Sequence, residues 1–180
     1  SAGLPRNTCA WIKGIYSATR KYHIQKIISV IQGDCSNNEA LMEIFQSEGI
    51  KTIPFAYPHD KTDTSFLHDQ LMKLAGNLGV PYSKAEEMKK HLDVIRAKVH
   101  KIDGLTWKED TVTGEENHIW TVSTSDLMGD YTTFEERAIR FLKLAQGREP
   151  IRHDLRIGVI GIPPICEDLY PFLSSIGAYV

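Results

Sequence analysis

The chain has 180 residues, of which 42% are hydrophobic, and its formal net charge is −2. This apolar content is enough for a globular core, and the charge gives no basic patch of the kind that binds nucleic acid. No apolar run approaches the roughly 20 residues of a membrane span. Three cysteines are too few for a secreted disulfide scaffold, so we expect a cytoplasmic protein in a reducing setting.

The first third of the chain has the pattern of a parallel β-α-β unit. An amphipathic helix is predicted over 9–20, and a β-branched run at 26–31 is typical of a buried strand. A helix over 39–48 and a second strand over 51–56 follow. Strand, helix and strand at this spacing predict parallel pairing of the two strands.

The middle of the chain is mainly helical in its pattern. Helical spacing of apolar residues predicts helices over 64–78, 83–102 and 134–144. Between the last two, residues 103–125 contain two glycines and two tryptophans, and we expect them to be irregular.

The last 30 residues have the pattern of a new β-α unit. We expect a buried parallel strand at 155–161, a Gly-Ile-Pro-Pro turn, a helix over 167–176 and the start of another strand at 177–180. Such a unit needs further elements to bury its faces, so we interpret the chain as the front part of a larger protein. We expect the unit to pack on the first lobe or on another copy of the chain.

The cysteines are the main candidates for chemistry. Cys35 follows a predicted parallel strand and precedes a helix, which is where open α/β sheets bind ligands. The N-terminus of that helix would stabilise a thiolate. A thiolate at this position can act as a nucleophile, as a ligand to a soft metal or as a ligand to an iron–sulfur cluster. The alternative is a buried structural cysteine. Cys9 also begins a helix, 26 positions earlier, and would share a crevice with Cys35 if their elements follow neighbouring strands. Cys166 is favoured as a packing residue.

Several stretches together resemble the 2-hydroxyacyl-CoA dehydratase and benzoyl-CoA reductase family, and more narrowly its D-component-like proteins, named after 2-hydroxyglutaryl-CoA dehydratase. The resemblance spans the whole chain. Its most specific parts are the Gly-Asp-Cys turn and the Gly-Ile-Pro-Pro-Ile stretch. The stretches are Asn7-Thr-Cys-Ala-Trp-Ile-Lys-Gly14, Gly33-Asp-Cys-Ser-Asn37, Trp107 with Val112-Thr-Gly-Glu115, residues 126–134, and Ile157-Gly-Val-Ile-Gly-Ile-Pro-Pro-Ile-Cys-Glu-Asp-Leu-Tyr170.

The resemblance implies an α/β fold with Rossmann-like lobes. Residues 1–80 would form the first lobe, 81–150 a helical insert and linker, and 151–180 the start of a second, truncated lobe. It also implies a 4Fe-4S cluster held by Cys9 and Cys35, with a third cysteine expected beyond Val180.

The implied activity is radical elimination of water from a 2-hydroxyacyl-CoA, through a ketyl formed after one-electron reduction. The implied partners are an ATP-dependent activator protein, a second dehydratase subunit or a second copy of the chain, and an acyl-CoA substrate, with no nucleic acid or membrane. We expect the 180 residues alone to be inactive. The alternatives are a related double-cubane or benzoyl-CoA-reductase-like reductase subunit, or a non-catalytic α/β family member that lacks the cluster.

Overall fold

The computed structural model describes residues 4–161, 164 and 166–180, which form helices and two small parallel sheets. This mixture agrees with the predicted α/β class. The chain divides into two compact units, Ser1–Glu86 and Glu87–Val180. In the described ranges, no helix is long and apolar enough to cross a membrane. The elements in chain order are α1 Ala10–Lys21, β1 Lys26–Gln32, α2 Ser36–Ser47, β2 Lys51–Ala56, α3 Thr64–Leu78, α4 Tyr82–Trp107, α5 Gly114–Val122, α6 Tyr131–Ala145, β3 Leu155–Arg156, α7 Leu169–Ser175 and β4 Ala178–Tyr179.

The first unit is built on the parallel pair β1 and β2. Their register runs from Lys26 opposite Lys51 to Val30 opposite Phe55, so the predicted parallel pairing is confirmed. A buried cluster of Ile12, Leu41 and Phe45 joins α1 to α2, and Ile27 of β1 packs against it. The two helices therefore lie beside the sheet formed by β1, which precedes α2, and β2, which follows it.

The predicted burial of β1 is only partly correct. Ile27 packs towards the helices, but the next residue, Ile28, is 48% exposed. Alternate side chains of a strand point to opposite faces, and β1 pairs with β2 alone among the described residues. The face that carries Ile28 thus lacks the cover that a continuous apolar run predicts.

Helix α3 agrees with its prediction at both ends. The Asp63 carboxylate accepts a hydrogen bond of 2.9 Å from the Phe66 N–H, which caps the first turn. Gly79 ends the helix with a φ of 70°, in the left-handed region that glycine adopts without steric cost.

The second unit has a helical core formed by α4, α5 and α6. Two buried clusters hold it together, and the Trp120 ring packs against both. Its ring centroid lies 5.2 Å from that of Phe134 and 5.3 Å from that of Phe141. Trp120 is therefore a core residue of this unit.

The predicted irregular segment at 103–125 is wrong over most of its length. Helix α4 continues through Gly104 to Trp107, and α5 occupies Gly114–Val122. A capping box begins α5, because the Thr113 hydroxyl accepts from the Glu116 N–H while the Glu116 carboxylate accepts from the Thr113 N–H. Arg148 then clamps the same carboxylate at 2.8 and 3.0 Å.

The final β-α unit has shorter strands than the sequence predicts. The parallel pair joins Leu155 to Ala178 and Arg156 to Tyr179 and extends no further. The predicted buried strand at 155–161 is therefore wrong, and Leu155 is 57% exposed. A strand extends only as far as a neighbouring strand pairs with its backbone, and β4 pairs with two residues of β3. Parts of the predicted turn, at 162, 163 and 165, lie outside the described residues.

This β-α unit packs on the helical segment, a contact that the sequence analysis did not foresee. The Arg156 guanidinium donates to the Trp107 carbonyl at 2.7 Å and also to the Asp110 carboxylate. On the other side, the His118 Nδ1 and the Tyr170 hydroxyl are 2.6 Å apart. The residues read as an insert and those read as a second lobe therefore belong to one compact unit.

Glycine at position 114 permits the close approach of α5 to the end of β4. A Cβ atom at Gly114 would lie 2.7 Å from the Val180 Cβ and 2.9 Å from the Val180 carbonyl oxygen. We predict that Gly114→Ala destabilises the chain by about 1–3 kcal/mol, the usual cost of overpacking. Urea unfolding measures the change.

Gly104 provides the matched control. It lies inside α4, and a Cβ there would meet no atom within 4 Å. Gly104→Ala should stabilise by about 1 kcal/mol, since alanine is the better helix former. Equal effects of the two substitutions would contradict the packing described for Gly114.

Candidate functional site

Cys9 and Cys35 occupy the same structural position in two different helices. Cys9 is the N-cap of α1 and Cys35 is the N-cap of α2, each with an extended backbone. Neither side chain makes a capping hydrogen bond. Both are exposed free thiols. The prediction that each cysteine begins a helix is confirmed, and neither has the buried surroundings of a structural cysteine.

Helices α1 and α2 run in the same direction. The Tyr16 ring stacks on the Phe45 ring, with centroids 5.9 Å apart. About one turn further along both helices, Arg20 pairs with Glu48 at 2.8 Å. Because the contacts advance together along both helices, the two axes are parallel. Cys9 and Cys35 therefore lie at the same end of the α1–α2 pair.

Glu48 holds the opposite end of this helix pair. Its carboxylate accepts a 2.8 Å hydrogen bond from the Tyr16 hydroxyl and pairs with the Arg20 guanidinium. The hydrogen bond from Tyr16, followed by that from Arg20, lowers the pKa of Glu48 below its ordinary value. The same contact raises the pKa of Tyr16. Glu48 is thus ionised at neutral pH, and this end contact fixes α1 against α2.

The turn before Cys35 is anchored to the end of β2. The Tyr57 N–H donates to the Gln32 carbonyl at 3.0 Å, and the Gln32 side-chain amide donates to the Tyr57 carbonyl at 2.6 Å. Gly33 follows with a φ of 92°, and a Cβ there would lie 2.9 Å from the Tyr57 Cβ. Only glycine fits this turn without strain. The anchored turn delivers the chain into α2 beside Tyr57.

Asp34 organises the first turn of α2 from just outside the helix. Its Oδ1 accepts a hydrogen bond of 2.7 Å from the Cys35 N–H. Its Oδ2 accepts from the side-chain amide of Asn38. The Asn38 N–H in turn donates to the Cys35 carbonyl at 3.0 Å. Hydrogen bonds on both sides of Cys35 thus define its backbone, while the thiol itself is unused.

The two cysteines fit part of a soft-metal or iron–sulfur site. Thiolates are the ligands that iron–sulfur clusters and soft metals require, and parallel helix N-termini at one end favour negative charge there. In the described part of the chain, however, no group of three or more His, Cys, Asp or Glu side chains could hold a metal ion. A metal bound by these two thiols would therefore need further ligands from outside this group.

Cys166 lies in the second unit, in surroundings that sequence reasoning did not anticipate. It is exposed and lines a groove of about 150 Å³ together with Glu115, His118 and Tyr170. Burial, followed by the charge of Glu115, raises the pKa of the Tyr170 hydroxyl. No spacing in the sequence links His118 to Tyr170, 52 positions away, so only the fold could reveal this pair.

Comparison of the chain with protein-family models, with curated proteins and with solved structures gave no match.

The two cysteine N-caps lead to a prediction about the stability of the chain alone. Serine caps a helix N-terminus well, because its hydroxyl accepts from a first-turn N–H, whereas these cysteines make no such bond. We predict that Cys9→Ser and Cys35→Ser each stabilise the metal-free chain by about 0.5–1 kcal/mol. Chemical denaturation under reducing conditions measures this.

Cys166→Ser is the control for these two variants. Cys166 is exposed and lies outside α7, whose N-cap is Asp168. Its substitution should leave stability unchanged. Neutral or destabilising serine variants at positions 9 and 35 would contradict the view that cysteine stabilises these helix ends less than serine does.

Proposed function

We propose that the chain is part of an iron–sulfur subunit resembling the 2-hydroxyacyl-CoA dehydratases, with Cys9 and Cys35 as two of the cluster ligands. The observation that supports this is the pair of free, exposed thiols at one end of two parallel helices. In this proposal, β1, α2 and β2 are one repeat of a Rossmann-like lobe, and the cysteines lie at its ligand-binding edge.

The choice of residue at the two caps supports a chemical role. Serine, threonine, aspartate and asparagine are the favoured N-caps, and the chain has Thr8 beside Cys9 and Asp34 beside Cys35. A residue that caps helices well thus stands immediately before each N-cap, yet the N-cap itself is cysteine in both helices. Local rules of this kind are broken most often where function requires it.

The surroundings of the thiols suit a negatively charged ligand set. The first N–H groups of α1 and α2 carry partial positive charge, which is favourable beside an anionic ligand set. Outside the helices, the anchored turn of Gly33 and Asp34 limits the motion of Cys35. These residues hold and orient sulfur ligands without using the sulfurs for folding.

When bound, the cluster would supply low-potential one-electron reduction of a thioester carbonyl, the step that makes loss of the hydroxyl on the neighbouring carbon, C2, feasible. The role of this chain is to hold two of the cluster ligands. The substrate in this proposal is a 2-hydroxyacyl-CoA, and the electron donor is an ATP-dependent activator protein. A second subunit or second copy would complete the enzyme.

The test is anaerobic reconstitution of the 180-residue chain with ferrous iron, sulfide and an excess of a small thiol. The small thiol supplies the ligands that the first unit does not offer. We predict visible sulfur-to-iron charge-transfer absorption and bound iron and sulfide in equal amounts, both greatly reduced in Cys9→Ser and in Cys35→Ser.

Cys166→Ser is the matched control and should retain the iron and sulfide content of the unmodified chain. Two results would contradict the proposal. The first is a chain that stays colourless under these conditions. The second is a chromophore that survives the loss of both Cys9 and Cys35, because the iron would then be bound elsewhere.

A further inference from the structure

We infer that the free edge of β1 is a docking site for a β-strand, and that residues 157–161 of a second copy of the chain occupy it. Neither Cys9 nor Cys35 takes part, so this assembly is independent of the proposed function.

The edge of β1 that faces away from β2 offers backbone hydrogen-bonding groups. Within the described residues, β1 pairs with β2 alone. The Lys51 N–H donates to the Gln25 carbonyl at 3.1 Å, and alternate residues of a parallel strand bond to the same neighbour. The N–H and C=O groups of Lys26 and Ile28 therefore point to the opposite edge. Such an edge accepts a further strand through main-chain hydrogen bonds.

Helix α1 overhangs this edge. On α2, Leu41 and Phe45 pack against α1, whereas the Gln46 amide donates to the Thr52 hydroxyl of β2 at 2.8 Å. Helix α1 is therefore on the side of α2 that lies away from β2. Packed helices have axes about 8–10 Å apart, and neighbouring strands are about 4.8 Å apart. Because α2 covers both β1 and β2, α1 extends beyond β1 by about one strand width or more.

The surfaces around the free edge are apolar. Tyr16 and Arg20 of α1 face α2 and its end. At about 100° per residue, Trp11 and Ile15 lie on the flank of α1 that is turned away from α2, and both are exposed. Ile28, on the other face of the sheet, is exposed as well. A strand beside β1 would lie between these surfaces, so it has to be apolar and uncharged itself.

Two copies of the chain cannot join through β1 alone. Pairing the two β1 strands about a two-fold axis would place them about 4.8 Å apart. The overhanging α1 of each copy would then fall on the helices of the other, because packed helix axes need about 8–10 Å. The edge therefore takes a segment from elsewhere in the chain.

Residues 157–161 have the properties that this edge requires. Their sequence, Ile-Gly-Val-Ile-Gly, has no charge and is rich in strand-forming side chains. The Ile157 N–H donates to the Tyr179 carbonyl at 2.7 Å, and in the described part of the chain the strand pairing goes no further. Val159 is exposed and Ile160 is fully exposed. An apolar strand sequence thus lies open to pairing.

The alternation of this segment matches the two faces of the edge. Successive side chains of a strand point to opposite faces, so Val159 placed beneath α1 puts Ile160 on the face of Ile28. Both apolar surfaces beside the edge are then covered by one strand.

The exposed area of the chain is large enough for such an interface. The chain exposes 12551 Å², whereas two independent folded units of half its mass would together expose about 10,600 Å². The excess of about 2,000 Å² is greater than the area of about 800 Å² that each partner buries in a standard interface.

The test is the mass of the 180-residue chain in solution, measured by analytical ultracentrifugation under reducing conditions at about 1–100 µM. We expect association that increases with concentration. Ile28→Lys and Ile160→Lys should each weaken it about tenfold or more, because each would bury an unpaired charge in the interface. Both side chains are exposed in the single chain, so neither substitution should unfold it, which circular dichroism checks.

Leu144→Lys is the matched control, since Leu144 is an exposed apolar residue of α6 that belongs to neither surface. It should leave the association unchanged. An equimolar mixture of Ile28→Lys and Ile160→Lys should associate although each variant alone does so weakly, because one intact edge then meets one intact strand.

Three results would overturn the inference. The first is an unmodified chain that stays monomeric. The second is a mixture of the two variants that associates no better than either alone, which would contradict pairing of edge and strand. The third is full association of Ile160→Lys, because the edge would then take a different strand. In each case the iron–sulfur test above is unaffected, so the two proposals fail separately.

Discussion

The parallel packing of α1 against α2 is the constraint on which the candidate site depends. Tyr16 stacks on Phe45, and Glu48 receives hydrogen bonds from both Tyr16 and Arg20 at the far end of the pair. With antiparallel helices, the same two cysteines would lie at opposite ends of the bundle. The apolar and ionic contacts that fold the first unit are therefore also what places two thiols at one edge.

The thiols themselves contribute little to folding. Both occupy caps that serine or asparagine would satisfy better, and both are exposed. The chain recovers order at Cys35 through Asp34, one residue outside the helix. The hydrogen bonds that order this turn therefore come from Asp34, and the Cys35 side chain makes no capping bond.

The sequence predicted elements well where apolar spacing and end signals agreed. Helix α3 has both, with Asp63 at its start and Gly79 at its end. The parallel pair β1–β2 followed from chain order. Gly114 misled the prediction of α5, because this glycine serves close packing against Val180 and does not end a helix.

Long-range contacts were beyond sequence reasoning for a different reason. The contacts of Arg156 with Trp107 and Asp110 join residues more than 40 positions apart, and no local pattern encodes them. The same holds for the direction of α1 relative to α2, which spacing left open. The placement of Cys9 and Cys35 at helix starts was predictable, whereas their location at a common end required the side-chain contacts of the fold.

The most direct measurement is the separation of nitroxide labels attached to Cys9 and Cys35 in a Cys166→Ser background. Packed parallel helices have axes about 8–10 Å apart, so we expect strong dipolar broadening of the electron paramagnetic resonance spectrum. An antiparallel pair of 12-residue helices would add about 18 Å along the axis. A spectrum equal to the sum of the two singly labelled controls would contradict a common site for the two thiols.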